Sequence, residues 1–172
     1  NEKLNRLFYS GIGSHDEKIV NGYVEAIKSF LSQFRSKKIV LDLGCGDFTV
    51  GSKIARQCLK YIACDIVEEV IQENKSFYKY KNVEFKSLDI TKDKLPSADI
   101  ITVRQVLQHL SNQDIINFLN KIKKDYKYLI VTEHIPLNEG FIPNIDKPSG
   151  ADTRLFYKSG LNLSLEPFNL KY

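Results

Sequence analysis

A chain of 172 residues, 42% apolar and 27% charged, has the make-up of one globular domain large enough to bury a core unaided. No apolar run approaches the ~20 residues of a bilayer span, and the start Asn1-Glu2-Lys3-Leu4 lacks the apolar core of a secretory signal, so a membrane role is excluded and a cytoplasmic protein is expected. The net charge of +4 is spread among acids, and Cys45, Cys58 and Cys64 are odd in number without metal-type spacing, which predicts free buried thiols and no metal site.

Residues 1–37 read as an N-terminal cap and helix. Phe8-Tyr9-Ser10-Gly11-Ile12-Gly13-Ser14-His15 is too rich in glycine for a helix interior, whereas Val20, Val24, Ile27, Leu31 and Phe34 repeat at helical spacing, predicting a helix over 20–34. Residues 38–135 then alternate. Strands are predicted at 38–43, 61–64, 83–88, 98–103 and 128–132, with helices at 48–58, 67–79 and 112–125. Ser111 and Asp114 resemble a capping box at the start of the last helix, and Lys121, Lys123, Lys124 and Lys127 suit its C-terminal dipole better than a nucleic-acid patch, so nucleic acid is an unlikely partner. Such alternation implies a parallel sheet with helices on both faces. Residues 136–172 read as a lid loop rich in proline, followed by a hairpin pairing 153–157 with 161–165 across Lys158-Ser159-Gly160.

The strongest chemical signal is Val40-Leu41-Asp42-Leu43-Gly44-Cys45-Gly46-Asp47-Phe48, a buried strand running into a glycine turn. Ligands of doubly wound sheets sit outside the carboxyl ends of the strands. Asp65 ends the second strand about 20 residues beyond the glycines, where a carboxylate accepts ribose hydroxyls. Asp89 ends the third strand, placed to meet an adenine amino group. A dinucleotide fold wants Gly-x-Gly-x-x-Gly, but Thr49 stands at the third glycine's place and Gly51 comes two residues late. Asp42 before the glycines would repel a pyrophosphate and suits a ligand carrying an ammonium and a sulfonium.

Residues 38–133 therefore resemble the class I, Rossmann-like S-adenosylmethionine (SAM)-dependent methyltransferases. Asp42-Leu43-Gly44-Cys45-Gly46 is similar to that family's first motif, Asp65-Ile66 to its ribose-binding acid and neighbour, and Asp89-Ile90 to the pair flanking the adenine. The stretch from Ala98 to Leu110, with Arg104 and His109, resembles the fourth strand and following turn of the small-molecule enzymes. Phe48 stands where the family often has a third glycine. The resemblance implies a doubly wound, mostly parallel seven-stranded sheet whose last two strands form the C-terminal antiparallel hairpin. It also implies SAM as cofactor and S-adenosylhomocysteine (SAH) as product.

The expected activity is methyl transfer to an oxygen or nitrogen of a small polar acceptor. His134 and His109 are the candidate bases, and His15 lies in the glycine-rich start. Arg154, Asp146 and Glu133 are the candidate acceptor contacts, because arginine grips phosphate or carboxylate at two points. RNA or protein methylation, or a SAM-binding module without catalysis, are the alternatives. Neither the acceptor nor the oligomeric state is readable from these residues.

Overall fold

The computed structural model describes residues 8, 10–123, 126–137 and 139–171; Tyr9, Lys124 and the first seven residues lie outside them. The strands are β1 (Ile39–Leu43), β2 (Lys60–Asp65), β3 (Val83–Ser87), β4 (Ile100–Arg104) and β5 (Tyr128–Thr132). They form one parallel five-stranded sheet in the order β3-β2-β1-β4-β5. The order reverses beside β1, which opens a crevice at its carboxyl end.

Side chains of a strand alternate between faces, and the core divides accordingly. Val40 and Ile100 join Val20, Val24, Ile27 and Leu31 of α1 (Glu17–Ser32) and Ile71 of α2 (Glu68–Phe77) on one face. Leu41, Leu43, Ile101 and Val103 meet Ile115, Phe118, Leu119 and Ile122 of α3 (Asn112–Ile122) on the other. Helix α1 begins three residues before the first apolar repeat because the Asp16 carboxylate accepts from the amides of Lys18 and Ile19 at 2.9 and 3.3 Å. Ser111 caps α3 as expected, but its own amide goes to Ser149 Oγ at 2.8 Å rather than back to Asp114. No described helix is long and apolar enough to cross a membrane.

Two expectations fail. The helix expected at 48–58 is two 3-10 turns, Gly51–Lys53 and Ala55–Gln57. Phe48 takes φ 60°, the left-handed conformation a glycine would supply, and its buried ring sits where a side chain on Gly51 would reach, with a Cβ only 2.4 Å from Phe48 Cε2. The backbone enters the segment in the wrong hand for an α-helix.

The sheet also has five strands among the described residues, not seven, and the C-terminal hairpin is absent. Arg154–Tyr157 is a 3-10 turn ended by Lys158 at φ 53°, and Asn162 folds its side chain onto the amide and hydroxyl of Ser164. Asparagine and serine side chains here replace the ladder that a strand would need. Asn144, buried with φ 59°, donates to the carbonyls of Asn162 and Glu166 and accepts from the Asn162 amide, each at 2.8 Å. Replacing it by alanine removes three bonds and adds left-handed strain. Asn144→Ala is expected to cost about 2–4 kcal/mol by urea unfolding, and unchanged stability would contradict this role for the side chain.

Candidate active site

Just past β1 the amides of Gly44 and Cys45 both donate to Cys64 O at 2.8 Å, which folds the chain over the end of β2. Gly44 sits at φ 84°, and a Cβ on it would lie 2.1 Å from Val106 Cγ2. A side chain there is excluded by both conformation and space. The bend opens a cavity of about 1290 Å³ at the carboxyl ends of the strands.

Asp42 lies at its floor. The side chain is on the α1 face of the sheet and accepts from Tyr61 Oη and from Thr102 Oγ1, each at 2.9 Å. Burial pushes its carboxyl up to about 6, although both hydroxyls pull the other way. Burial, and then Asp42, pushes the nearby Tyr23 phenol up as well. The Cys45 thiol is pushed well up by burial and then by Asp42, which makes it a poor nucleophile at neutral pH. Arg104 stacks 5.4 Å above the centre of the Tyr23 ring and donates to Gly13 O and Ser14 Oγ.

Asp65 accepts from the Gly46 amide at 3.0 Å and the Val67 amide at 3.1 Å, so it braces the glycine turn while lining the cavity beside the exposed Ile66. Asp89 accepts from both the amide and the hydroxyl of Thr91, and from Lys92 at 3.0 Å. Burial raises its carboxyl, but those partners prevail and hold it at about 2. Ile90 is buried beside it and also lines the cavity.

His134 and His109 lie on the wall away from Asp65 in sequence, beyond β4 and β5. His134 Nδ1 is 3.3 Å from Gln108 Oε1 and its Nε2 is 3.0 Å from Gln105 Nε2. An amide oxygen only accepts and an amide nitrogen only donates, so these bonds assign the proton to Nδ1 and the lone pair to Nε2. His109 Nδ1 donates to Ala151 O at 3.0 Å. Gln105 holds φ 57°, a left-handed conformation rare outside glycine and asparagine.

The remaining sequence candidates lie elsewhere. Arg154, Asp146 and Glu133 are all absent from the cavity lining. The Arg154 side chain is 1% exposed and donates to Ile145 O and Leu110 O. Asp146 accepts from the amides of Asn112 and Lys147 at 2.7 and 2.9 Å. Glu133 accepts from the amides of Val106 and Leu107 at 3.0 and 2.7 Å. Burial pushes it up to about 7 against those amides, so it shapes the turn behind the wall.

Sequence reasoning missed several residues. Asp47 is 2% exposed, accepts from His15 at 2.7 Å and from the Ser10 amide, and its own amide donates to Ser10 Oγ at 2.7 Å. These bonds lay residues 10–16 across the glycine turn as a strap. Buried Asn74 on α2 donates to Gly46 O at 2.7 Å. Gln105 and Gln108 gave no signal beyond their place after β4, whereas Asp47 was visible as an acid beside the glycines.

The sequence matches the family described as a methyltransferase domain over residues 41–126. It is 28% identical over 114 residues to a ubiquinone biosynthesis O-methyltransferase of Rickettsia akari, covering 63% of this chain and 45% of that protein. It is 26% identical over 147 residues to a 3-O-methylredipecamine 2-O-methyltransferase of Carapichea ipecacuanha, covering 84% of this chain and 36% of the relative. The chain thus spans less than half the length of these curated relatives. The fold resembles that of magnesium protoporphyrin IX methyltransferase from Synechocystis, solved with SAH, at a TM-score of 0.59, 19% identity and coverage of 74% of this chain and 58% of that one. With the matched segment running from the middle of β1 through α3, and thus through the cavity's floor and much of its wall, the chain belongs to the methyltransferase-domain family.

Proposed function

We propose that this domain binds SAM and transfers its methyl group to an oxygen or nitrogen of a small acceptor. The observation that carries the reading is the set of three carboxylates, Asp42, Asp65 and Asp89, around one cavity whose turn tolerates no side chain at Gly44. The donor set fits the cofactor: acids for an ammonium and for ribose hydroxyls, an arginine for a carboxylate, and apolar Ile66 and Ile90 for the faces of a base. It does not fit a pyrophosphate, because no α-helix begins at the turn and the described residues of the lining carry five carboxylates against one lysine and one arginine.

In this reading Asp42 takes the ammonium, Asp65 the ribose, Asp89 with Ile90 the adenine, and Arg104 the carboxylate. SAM supplies a methyl carbon on a cationic sulfur that keeps the electron pair of the breaking S–C bond. The chain contributes mainly alignment and exclusion of water. His134 presents the Nε2 lone pair, so a hydroxyl acceptor displaces the Gln105 amide from it and passes its proton to that nitrogen as its oxygen bonds the methyl carbon. His109 on the same wall is the second candidate base.

Calorimetric titration with SAM, SAH and NAD tests the reading. Micromolar binding of both adenosyl compounds, no binding of NAD, and at least about tenfold weaker SAM binding in Asp65→Ala are expected, since bonds to a charged group are worth about 1.5–3 kcal/mol. Binding of NAD alone would overturn it. The pH profile gives a second check. Asp42 must be ionised to accept an ammonium, yet burial holds its carboxyl at about 6, so below that value binding must first remove a proton. SAM affinity should fall about tenfold from pH 7 to pH 5 and be nearly flat in Asp42→Asn. Equal affinity at both values in the wild type would remove Asp42 from the ammonium's environment.

A further inference from the structure

The wall beyond the cofactor's acids is formed by Gln105, Gln108, His109, His134, Asp114 and Ser149. It holds amides, imidazoles, a hydroxyl and a carboxylate. Among the described residues, the cations near this end are held by other groups of the protein. Arg154 is turned onto Ile145 O and Leu110 O. Lys147 is 4% exposed, and its ammonium donates to His109 O at 2.9 Å and to Pro148 O at 2.6 Å. Both lie outside the lining and support the carbonyls of segments that form it. Arg104, assigned to the cofactor's carboxylate, also donates to Gly13 O and Ser14 Oγ and stacks on the Tyr23 ring. Lys92 does line the cavity, but it pairs with Asp89 at 3.0 Å, and the charges of Asp93 and Asp114 bear on the same ammonium.

Asp114 is the decisive side chain. Its Oδ2 accepts from the hydroxyls of Ser111 and Ser149, which fixes the carboxylate at the wall. No described residue donates to its Oδ1 in a hydrogen bond. Among the described residues the lining carries five carboxylates against one lysine and one arginine, inside a protein whose net charge is +4. The cavity is thus acidic against the sign of the molecule. A cleft lined by one sign of charge concentrates ligands of the other sign and rejects its own.

We propose that the acceptor is a hydroxylated compound that is uncharged or carries an ammonium, that carboxylated and phosphorylated compounds are excluded, and that Asp114 sets this preference. The inference rests on the methyl-transfer reading, because it assigns the space that a bound cofactor leaves open. It replaces the expectation that an arginine of the 136–172 segment grips an anionic acceptor. A phosphate or carboxylate at this wall would meet Asp114, while the one described lysine of the lining, Lys92, pairs with Asp89, and like charges brought together disfavour a partner strongly.

The test uses protein saturated with SAH and a library of small hydroxylated molecules balanced between anionic, neutral and cationic members, including protocatechuate, catechol and dopamine. Binding is read by ligand-observed NMR and ranked by competition. Neutral and cationic members are expected to bind at least about tenfold more tightly than matched anions. In Asp114→Asn, which keeps the acceptor oxygen for the two serine hydroxyls, the advantage of cationic over neutral members should disappear. The wild-type ranking stands alone if that variant fails to fold. Anions binding as well as or better than neutral partners would overturn the inference, as would a library without any binder in the SAH-saturated protein. Failure of the protein to bind SAH removes the function reading and this one together, whereas SAH binding with an anionic preference removes only this one.

Discussion

A carboxylate buried at the end of the central strand imposes the arrangement around it. Asp42 has a strand on either side, and each neighbour supplies one hydroxyl, Tyr61 from β2 and Thr102 from β4. Without those donors the charge would be prohibitively expensive in so dry a place. With them it remains costly, as its raised protonation point records. A domain under selection for stability alone would fill this position with valine or leucine. The cost is intelligible if a positively charged ligand group completes the carboxylate's surroundings, and the stacked Tyr23 and Arg104 then form the rest of that polar floor.

The same economy of buried polar groups explains the C-terminal segment beyond the last strand. From Glu133 onward, loops are joined to one another by side chains reaching carbonyls and amides rather than by a ladder. Glu133 gathers the amides of the turn after β4, Asn144 holds the C-terminal segment, and Lys147 and Arg154 tie the 144–154 loop to His109 and Leu110. Residue types that suggest catalysis or recognition are here the framework of a wall. Their burial rigidifies segments that would otherwise be the least ordered part of the fold.

That distinction marks where sequence ceases to be a guide. Strands β1, β2, β4 and β5 were legible as short apolar runs and β3 by its alternation, and α3 because a serine cap precedes a clear helical repeat. Gly44, Asp42, Asp65 and Asp89 were legible because glycine and acid at strand ends carry a mechanism, and all four line the cavity. The turns at 51–57 were not, since the left-handed φ of Phe48 is paid for by burial among Tyr61, Tyr78 and Phe85, contacts that no local pattern encodes. Nor was the fate of Arg154: whether an arginine faces a ligand or a carbonyl is decided by which loops approach it. The absent hairpin fails for the same reason, because Asn144 and Asn162 compete for the backbone groups that strands would have paired.

The strap has a kinetic meaning. Ser10, Gly11, Gly13 and Ser14 line the cavity, and hydrogen bonds with Asp47 and Arg104 hold this stretch over it. Bonds of this kind break and reform far faster than a packed helix lifts from a sheet. A ligand seated in the cavity would have to pass these bonds to enter or leave, while the acids beneath bear on its affinity. Asp47, which binds the strap, and Asp42 and Asp65, which lie beneath it, would then act on different quantities: how long a ligand stays, and how tightly it is held.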